Sequence, residues 1–289
     1  MDFTSLYDLN NTIEAMQELA QHKSTEKGPE FLRPFHFVML GLTLKQQGAE
    51  SLEIENVPDD VLRYASRMGL WDAIGLTPPI SVNAHSHAGR FHPLTPLNCP
   101  DTVQQVSADL AKLFTVDTPE SVASIDAAVT ELVGNAYAHS EPSDGFHGLV
   151  CAQTWPGGKK AQIAIGDSGI GIRASLSRSD EYKAALATEN SCKLATEYDV
   201  TSKRGKGHSG YGLTLARDLI SANGGAFFLL SDKEYFYVKN GMRQEGRLDI
   251  PIQGTLVVME WNTQVPLSAR EVYDSWPNIP GHDYDDIDI

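Results

Sequence analysis

Cysteine is scarce in this chain. Cys99, Cys151 and Cys192 are the 3 cysteines in 289 residues, and an odd, scattered count offers neither a disulfide framework nor a metal-binding pair. They read as reduced thiols. Long apolar runs are missing too, since nothing approaches the roughly 18 residues that a membrane-spanning helix needs. The opening "MDFTSLYDLNN" lacks the basic-then-apolar order of a secretory leader. The expectation is a cytoplasmic protein with no membrane partner. Positive charge is also in short supply. The chain has 23 Lys and Arg against 38 Asp and Glu, a formal net charge of −15, which argues against nucleic acid as the main partner.

What is present is ordinary for a globular protein: 41% hydrophobic and 21% charged residues. The length allows one large core or two modest ones. The pattern divides into a small α/β module over 1–80, a linker or long loop over 81–100, a larger α/β unit over 101–263 and an acidic tail over 264–289. In the first module "LYDLNNTIEAMQELAQH" and "RPFHFVMLGLTLKQQ" have helical spacing, "SLEIENV" reads as a strand, and "PDDVLRYASRMGLWDAIG" reads as one helix. The stretch "TPPISVNAHSHAGRFHPLTPLNCP" is rich in Pro, Gly and His, so a loop is expected there. Its His85, His87 and His92 have no helical spacing and no cysteine beside them, which favours a loop over a metal site.

In the larger unit "DTVQQVSADLAKLF" and "TPESVASIDAAVTELVGNAYAH" predict helices, the second with Thr118 as N-cap and Pro119 at its first position. Strands are predicted at "GLVCAQTW", "AQIAIGD", "GAFFLLS", "YFYVKN" and "GTLVVMEW".

Three motifs carry chemistry. In "ELVGNAYAH", Glu131, Asn135 and His139 are four residues apart and share one helical stripe. An Asn oxygen suits a hard cation such as Mg²⁺, and a carboxylate one turn earlier can polarise a water or hydroxyl. A polar flank on an amphipathic helix would show the same pattern. In "IAIGDSGIGI" an apolar strand ends at Asp167, followed by Gly169 and Gly171. A carboxylate there can accept a hydrogen bond from the exocyclic amine of adenine, although an Asp-Gly turn would look alike. The third motif, "TSKRGKGHSGYGLTLARDLI", holds a literal G-x-G-x-x-G at Gly205, Gly207 and Gly210. No apolar strand precedes it, as a dinucleotide fold requires, and it lacks the Gly-Lys-Ser/Thr ending of a P-loop. The companions of a protein-kinase glycine loop are absent as well.

Taken in order, Glu131 and Asn135, then Asp167, Gly169 and Gly171, then Gly210 and Gly212, then Gly254 and Thr255 resemble the GHKL superfamily of histidine-kinase-like ATPases. The resemblance covers about 101–263 and is nearest to anti-sigma-factor serine kinases and histidine kinase catalytic domains. It implies a two-layer α/β sandwich with a mixed sheet covered by helices on one face, and ATP and Mg²⁺ as ligands. It implies that Asp167 binds the adenine amine, with Thr255 helping through a water, and that Asn135 holds Mg²⁺. Gly169 and Gly171 would admit the ligand, while Gly205, Gly207, Gly210, Tyr211 and Gly212 would line the phosphates. Lys203, Arg204 and Lys206 would face them from a lid over 173–209, and Glu131 would be the general base. A regulatory partner protein and a second copy of the chain are implied as partners. The activity implied is ATP hydrolysis or phosphotransfer to a partner; the alternative is a nucleotide-gated interaction protein with little turnover. More weakly, "NVPDDVLRYASRMGLWDAIG" resembles the end of a STAS-like domain.

Overall fold

The structure, a computed structural model, describes residues 6–22, 32–49, 58–82, 89–113, 118–140, 142, 144–202 and 210–277. In chain order the elements are α1 (Leu6–His22), α2 (Pro34–Gln46), α3 (Asp59–Arg67), α4 (Leu70–Ile74), β1 (Phe91–Leu97), α5 (Val103–Leu113), α6 (Pro119–His139), β2 (Gly148–Trp155) and β3 (Lys160–Asp167). They continue with α7 (Ile172–Leu176), α8 (Lys183–Leu186), α9 (Ser191–Ala195), α10 (Gly212–Ala222), β4 (Ala226–Lys239), β5 (Met242–Asn262) and α11 (Ala269–Ser275).

The α/β sandwich expected from the sequence is present, around a five-stranded sheet in the order β1-β2-β3-β5-β4. One detail differs. Every pairing in the sheet is antiparallel rather than mixed, because β2–β3 and β4–β5 are hairpins. At the second hairpin Asn240 and Gly241 both have positive φ, 50° and 76°, the geometry that an Asn-Gly pair favours. The helices of residues 101–263 cover one face as expected, and α1, α2 and α4 from the first 80 residues cover the other.

Strand alternation assigns each residue to a face. Val150, Ala152, Ile163, Ile165, Phe227, Leu229, Val257 and Met259 pack beneath α5, α6 and α10, on what we term the front face. Leu149, Cys151, Ala164, Phe228, Leu230, Leu256 and Val258 alternate with them and pack against α1, α2 and α4 on the back. Helix α2 is apolar on all sides because it lies between the sheet and other helices. Its start is satisfied locally: the Arg33 amide donates to His36 Nδ1 at 2.9 Å, and the Phe35 amide donates to Gln162 Oε1 at 3.4 Å. Burial, and then the charge of Arg33, hold His36 well below the usual histidine range.

The remaining expectations divide. Residues 58–75 form two helices rather than one, because Gly69 adopts φ 77° between them. The expected loop around His92 is in fact the edge strand β1, where Pro93 and Pro96 are tolerated because one side has no strand partner. The stretch read as a tail begins with a docked helix: Ser268 caps α11, and the Ala269 amide donates to Ser124 Oγ on α6 at 2.8 Å. The expected strand at 51–57, His85, His87 and residues 278–289 lie outside the described residues.

Candidate functional site

A cavity opens on the front face beneath α6, where β3 ends and its pairing with β5 stops. Glu131, Asn135, Asp167, Gly171, Gly210, Gly212 and Thr255 all line it. Its walls include Ile165, Ile172, Leu176, Val200, Leu213 and Val257. Polar groups from four distant stretches of sequence therefore share one largely apolar depression.

Asp167 continues the alternation of β3, so its side chain falls on the front face with Ile163 and Ile165. The Gly169 amide donates to its Oδ1 at 2.8 Å, and Thr255 supplies further hydrogen bonds from backbone and side chain. Burial outweighs these donors and pushes the carboxyl up to about 6. Gly254 is forced by its surroundings. A Cβ there would lie 2.0 Å from the Asp167 carbonyl oxygen, and its φ is 82°, so only glycine lets β5 pass this close to the end of β3. Gly171, the N-cap of α7, has its neighbour pinned: the Ile172 amide donates to Ser231 Oγ at 2.8 Å, and that hydroxyl donates to the Gly254 carbonyl at 2.9 Å.

The other end of the cavity is set by α6 and α10. A Cβ on Gly212 would fall 2.8 Å from Glu131 Cβ, 3.0 Å from its Oε2 and 3.3 Å from Asn135 Nδ2. The first residue of α10 thus faces both polar side chains of α6 with its backbone bare. Burial raises the Glu131 carboxyl above the usual range. Between the two ends, Ser175 Oγ lies 3.1 Å from His139 Nδ1 and 2.8 Å from Ser202 Oγ, and all three residues line the cavity.

Tyr211 does not line the cavity; it stacks at 4.7 Å on Tyr198 and 5.6 Å from Trp276. Gly169 also lies outside the lining residues but holds Asp167 from behind. Lys203, Arg204, Gly205, Lys206 and Gly207 lie outside the described residues. The described part of the expected lid is folded into α7, α8 and α9. It is fastened to β4 by Arg173, whose Nε and Nη2 donate to Glu234 at 2.9 and 2.7 Å. Burial alone would raise Glu234, but hydrogen bonds from Arg173 and Ser191 hold it below the usual range.

Sequence reasoning missed Ser175, Ser202, Tyr273 and Trp276. Tyr273 on α11 lies close enough to Glu131 that burial, and then that negative charge, push its hydroxyl up to about 12. A signal for α11 was available: Ser268 and Glu271 have the S-x-x-E spacing of a helix start. Ser175 and Ser202 carry no pattern of their own. Among the described residues no group of three His, Cys, Asp or Glu is arranged to hold a metal, and no helix is long and apolar enough to cross a membrane.

No protein-family model matches the chain, and no curated protein sequence does. Among solved structures, the histidine kinase domain from Erythrobacter litoralis EL346 blue-light activated histidine kinase aligns over 89% of this chain and 94% of that one, with 12% identity and a TM-score of 0.27. So weak a likeness leaves the functional reading to the geometry of the cavity.

Proposed function

We propose that the chain binds Mg·ATP in this cavity and either hydrolyses it or passes the γ-phosphoryl to a partner protein. One observation carries the reading: the Glu131/Asn135, Asp167, Gly210/Gly212 and Thr255 motifs, far apart in sequence, line a single cavity. The residues suit the ligand. Asp167 offers a buried acceptor at the foot of the cavity for an exocyclic purine amine, and the flanking aliphatic walls match a flat heterocycle. At the far end the bare backbone of Gly212 opens α10 beside Asn135, so that amide N–H groups and the helix start favour phosphate oxygens. Asn135 would hold Mg²⁺ with help from phosphate oxygens and waters, the usual arrangement for a cation that keeps much of its hydration. Bound magnesium supplies charge neutralisation on the phosphates. Glu131, made more basic by burial, is placed to take a proton from water or a partner hydroxyl.

The test is titration of the protein with ATP and magnesium, followed by assay of phosphate release and of label transfer from γ-labelled ATP. The native protein is expected to bind ATP. The Asp167→Asn protein is expected to lose at least about a hundredfold in affinity, in line with one buried hydrogen-bond partner to a ligand. Glu131→Ala is expected to keep ATP affinity within about threefold and to lose turnover. Unchanged affinity in Asp167→Asn removes the adenine assignment. Tight binding with neither phosphate release nor label transfer replaces the enzyme with a nucleotide-gated interaction protein.

A further inference from the structure

The hydrogen-bonded chain His139–Ser175–Ser202 lies in the cavity wall and has no part in the reading above. Its place along the cavity is fixed by contacts at both ends. Helix α6 rises about 1.5 Å per residue, so His139 lies roughly 6 Å beyond Asn135, on the side away from Glu131. There a Cβ on Gly169 would sit 2.5 Å from the His139 carbonyl oxygen and 2.9 Å from Asp167 Oδ1. The His139 carbonyl therefore borders the Asp167 end, while a Cβ on Gly210 would lie 3.3 Å from Thr201, the neighbour of Ser202, so the chain spans the stretch between Asp167 and Gly210.

We propose that this chain reads the ribose hydroxyls, making the site selective for ribonucleotides over deoxyribonucleotides. The inference rests on the Mg·ATP reading. With the purine at Asp167 and the phosphates toward Gly212, the sugar must cross the middle of the cavity, where the two serine hydroxyls stand. Each serine carries one O–H donor and two acceptor lone pairs. The bonds to His139 Nδ1 and between the two serines leave part of that capacity for a ligand. A ribose hydroxyl is likewise both donor and acceptor, so it pairs with a serine whichever way the chain is oriented. A deoxy sugar presents a C–H instead and leaves a desolvated hydroxyl without a partner. Discrimination of this kind comes mainly from the cost of the unmade bond. The apolar side chains around the rest of the cavity, Ile165, Leu176 and Val257 among them, cannot tell the two sugars apart.

The experiment compares magnesium complexes of ATP, 2′-deoxy-ATP and 3′-deoxy-ATP by calorimetric titration of the native, Ser175→Ala and Ser202→Ala proteins, with thermal melts as a check on folding. The native protein is expected to prefer ATP by about tenfold or more over at least one deoxy analogue. That ratio is expected to fall toward one in Ser175→Ala, and in Ser202→Ala if the 202 hydroxyl makes the contact. A serine with a merely structural role would weaken all three nucleotides alike and leave the ratio in place. Equal affinities in the native protein, or a preference that survives both substitutions, overturns the proposal while leaving ATP binding intact. Failure of all three nucleotides to bind instead overturns the Mg·ATP reading, and the ribose assignment with it. Ser202 is half-buried at the cavity edge, so its alanine variant provides the comparison should Ser175→Ala fail to fold.

Discussion

The two faces of the sheet are cut from the same strands and packed to different ends. On the back, α2 presses so close that a Cβ on Gly166 would lie 2.7 Å from both Val38 and Leu42, and one on Gly41 would lie 2.6 Å from Leu149. On the front, α6 and α10 pack over the middle of the sheet but leave a cavity at the end of β3 and the neighbouring stretch of β5. There Asp167 and Thr255 occupy positions that an apolar side chain would otherwise fill. The back buries polar groups as well, but Gln162 donates to Glu260 there at 3.0 Å, whereas the front leaves Glu131 and Asp167 facing a cavity. The contrast puts the proposed site at the open end of the front face.

The largest way to break that contrast is on the back. Phe37 on α2 is fully buried and meets Tyr64 edge-on at a ring separation of 5.5 Å. Phe37→Ala is expected to cost about 3–5 kcal/mol, the range for truncating a buried aromatic, as read by urea unfolding. Nucleotide affinity measured where that variant is still folded should stay within about twofold, because Phe37 is not among the residues lining the cavity. A large affinity loss in a folded Phe37→Ala protein would mean that the two faces are not separable.

The second effect has the opposite sign. Asp167 titrates at about 6 in the folded protein, above the about 4 of an unfolded aspartate. The folded state therefore holds the proton more tightly, and stability falls as pH rises from about 4 through 6. Asp167→Asn removes that cost and keeps an acceptor for the Gly169 amide. It is expected to stabilise the nucleotide-free protein by about 1–3 kcal/mol at pH 7.5 and by about half as much at pH 5, since a two-unit displacement is worth at most about 3 kcal/mol. ATP affinity of the native protein should weaken below about pH 6 for the same reason, as the acceptor gains a proton. Unfolding curves at the two pH values decide the matter, and a destabilised Asp167→Asn protein at pH 7.5 would contradict it. Substitution at the proposed binding carboxylate would thus remove function and add stability, the trade expected of a functional group rather than a packing one.

How much of this was legible beforehand follows from which residues speak locally. Helix α6 was readable to the residue at its start, because Thr118 accepts from the Ser121 amide and Pro119 follows it. The strands β2 and β3 were readable from their apolar content, and Asp167 from its place at a strand end. Antiparallel pairing was not read, although the Asn240–Gly241 pair signals a tight hairpin. Edge strand β1 was hidden by Pro93 and Pro96, which argue for a loop until the strand's outer side is known to be unpaired. The back layer was invisible as such: nothing local in "PFHFVMLGLTLKQ" says that its partner is the sheet of the larger unit. In the cavity, glycines and charged residues carried motifs, whereas Ser175 and Ser202 meet only where α7 approaches the stretch that follows α9. Tertiary neighbours of common residue types leave no trace in the sequence.

The finest test of the comparison sits on one strand. Val257 and Val258 are adjacent in β5, chemically identical and directed to opposite faces. Val258 is fully buried against the back layer, paired across the ladder with Ala164 and Phe228. Val257 pairs with Ile165 and Leu229 and lines the cavity, with 8% of its surface exposed. Backbone propensity, strand position and the atoms removed are the same for both, so the difference between the two alanine variants isolates the surroundings. Val258→Ala leaves a void with atoms on every side and is expected to cost about 2–3 kcal/mol. Val257→Ala enlarges a space that is already open, loses fewer contacts and is expected to cost about 1 kcal/mol. ATP should narrow the gap. If the ligand fills the cavity, Val257→Ala forfeits contacts to it, so saturating ATP should stabilise that variant less than it stabilises Val258→Ala. Equal costs for the two substitutions would mean that the open end of the front face is packed after all, whereas an unequal pair that ATP leaves untouched would place the ligand elsewhere.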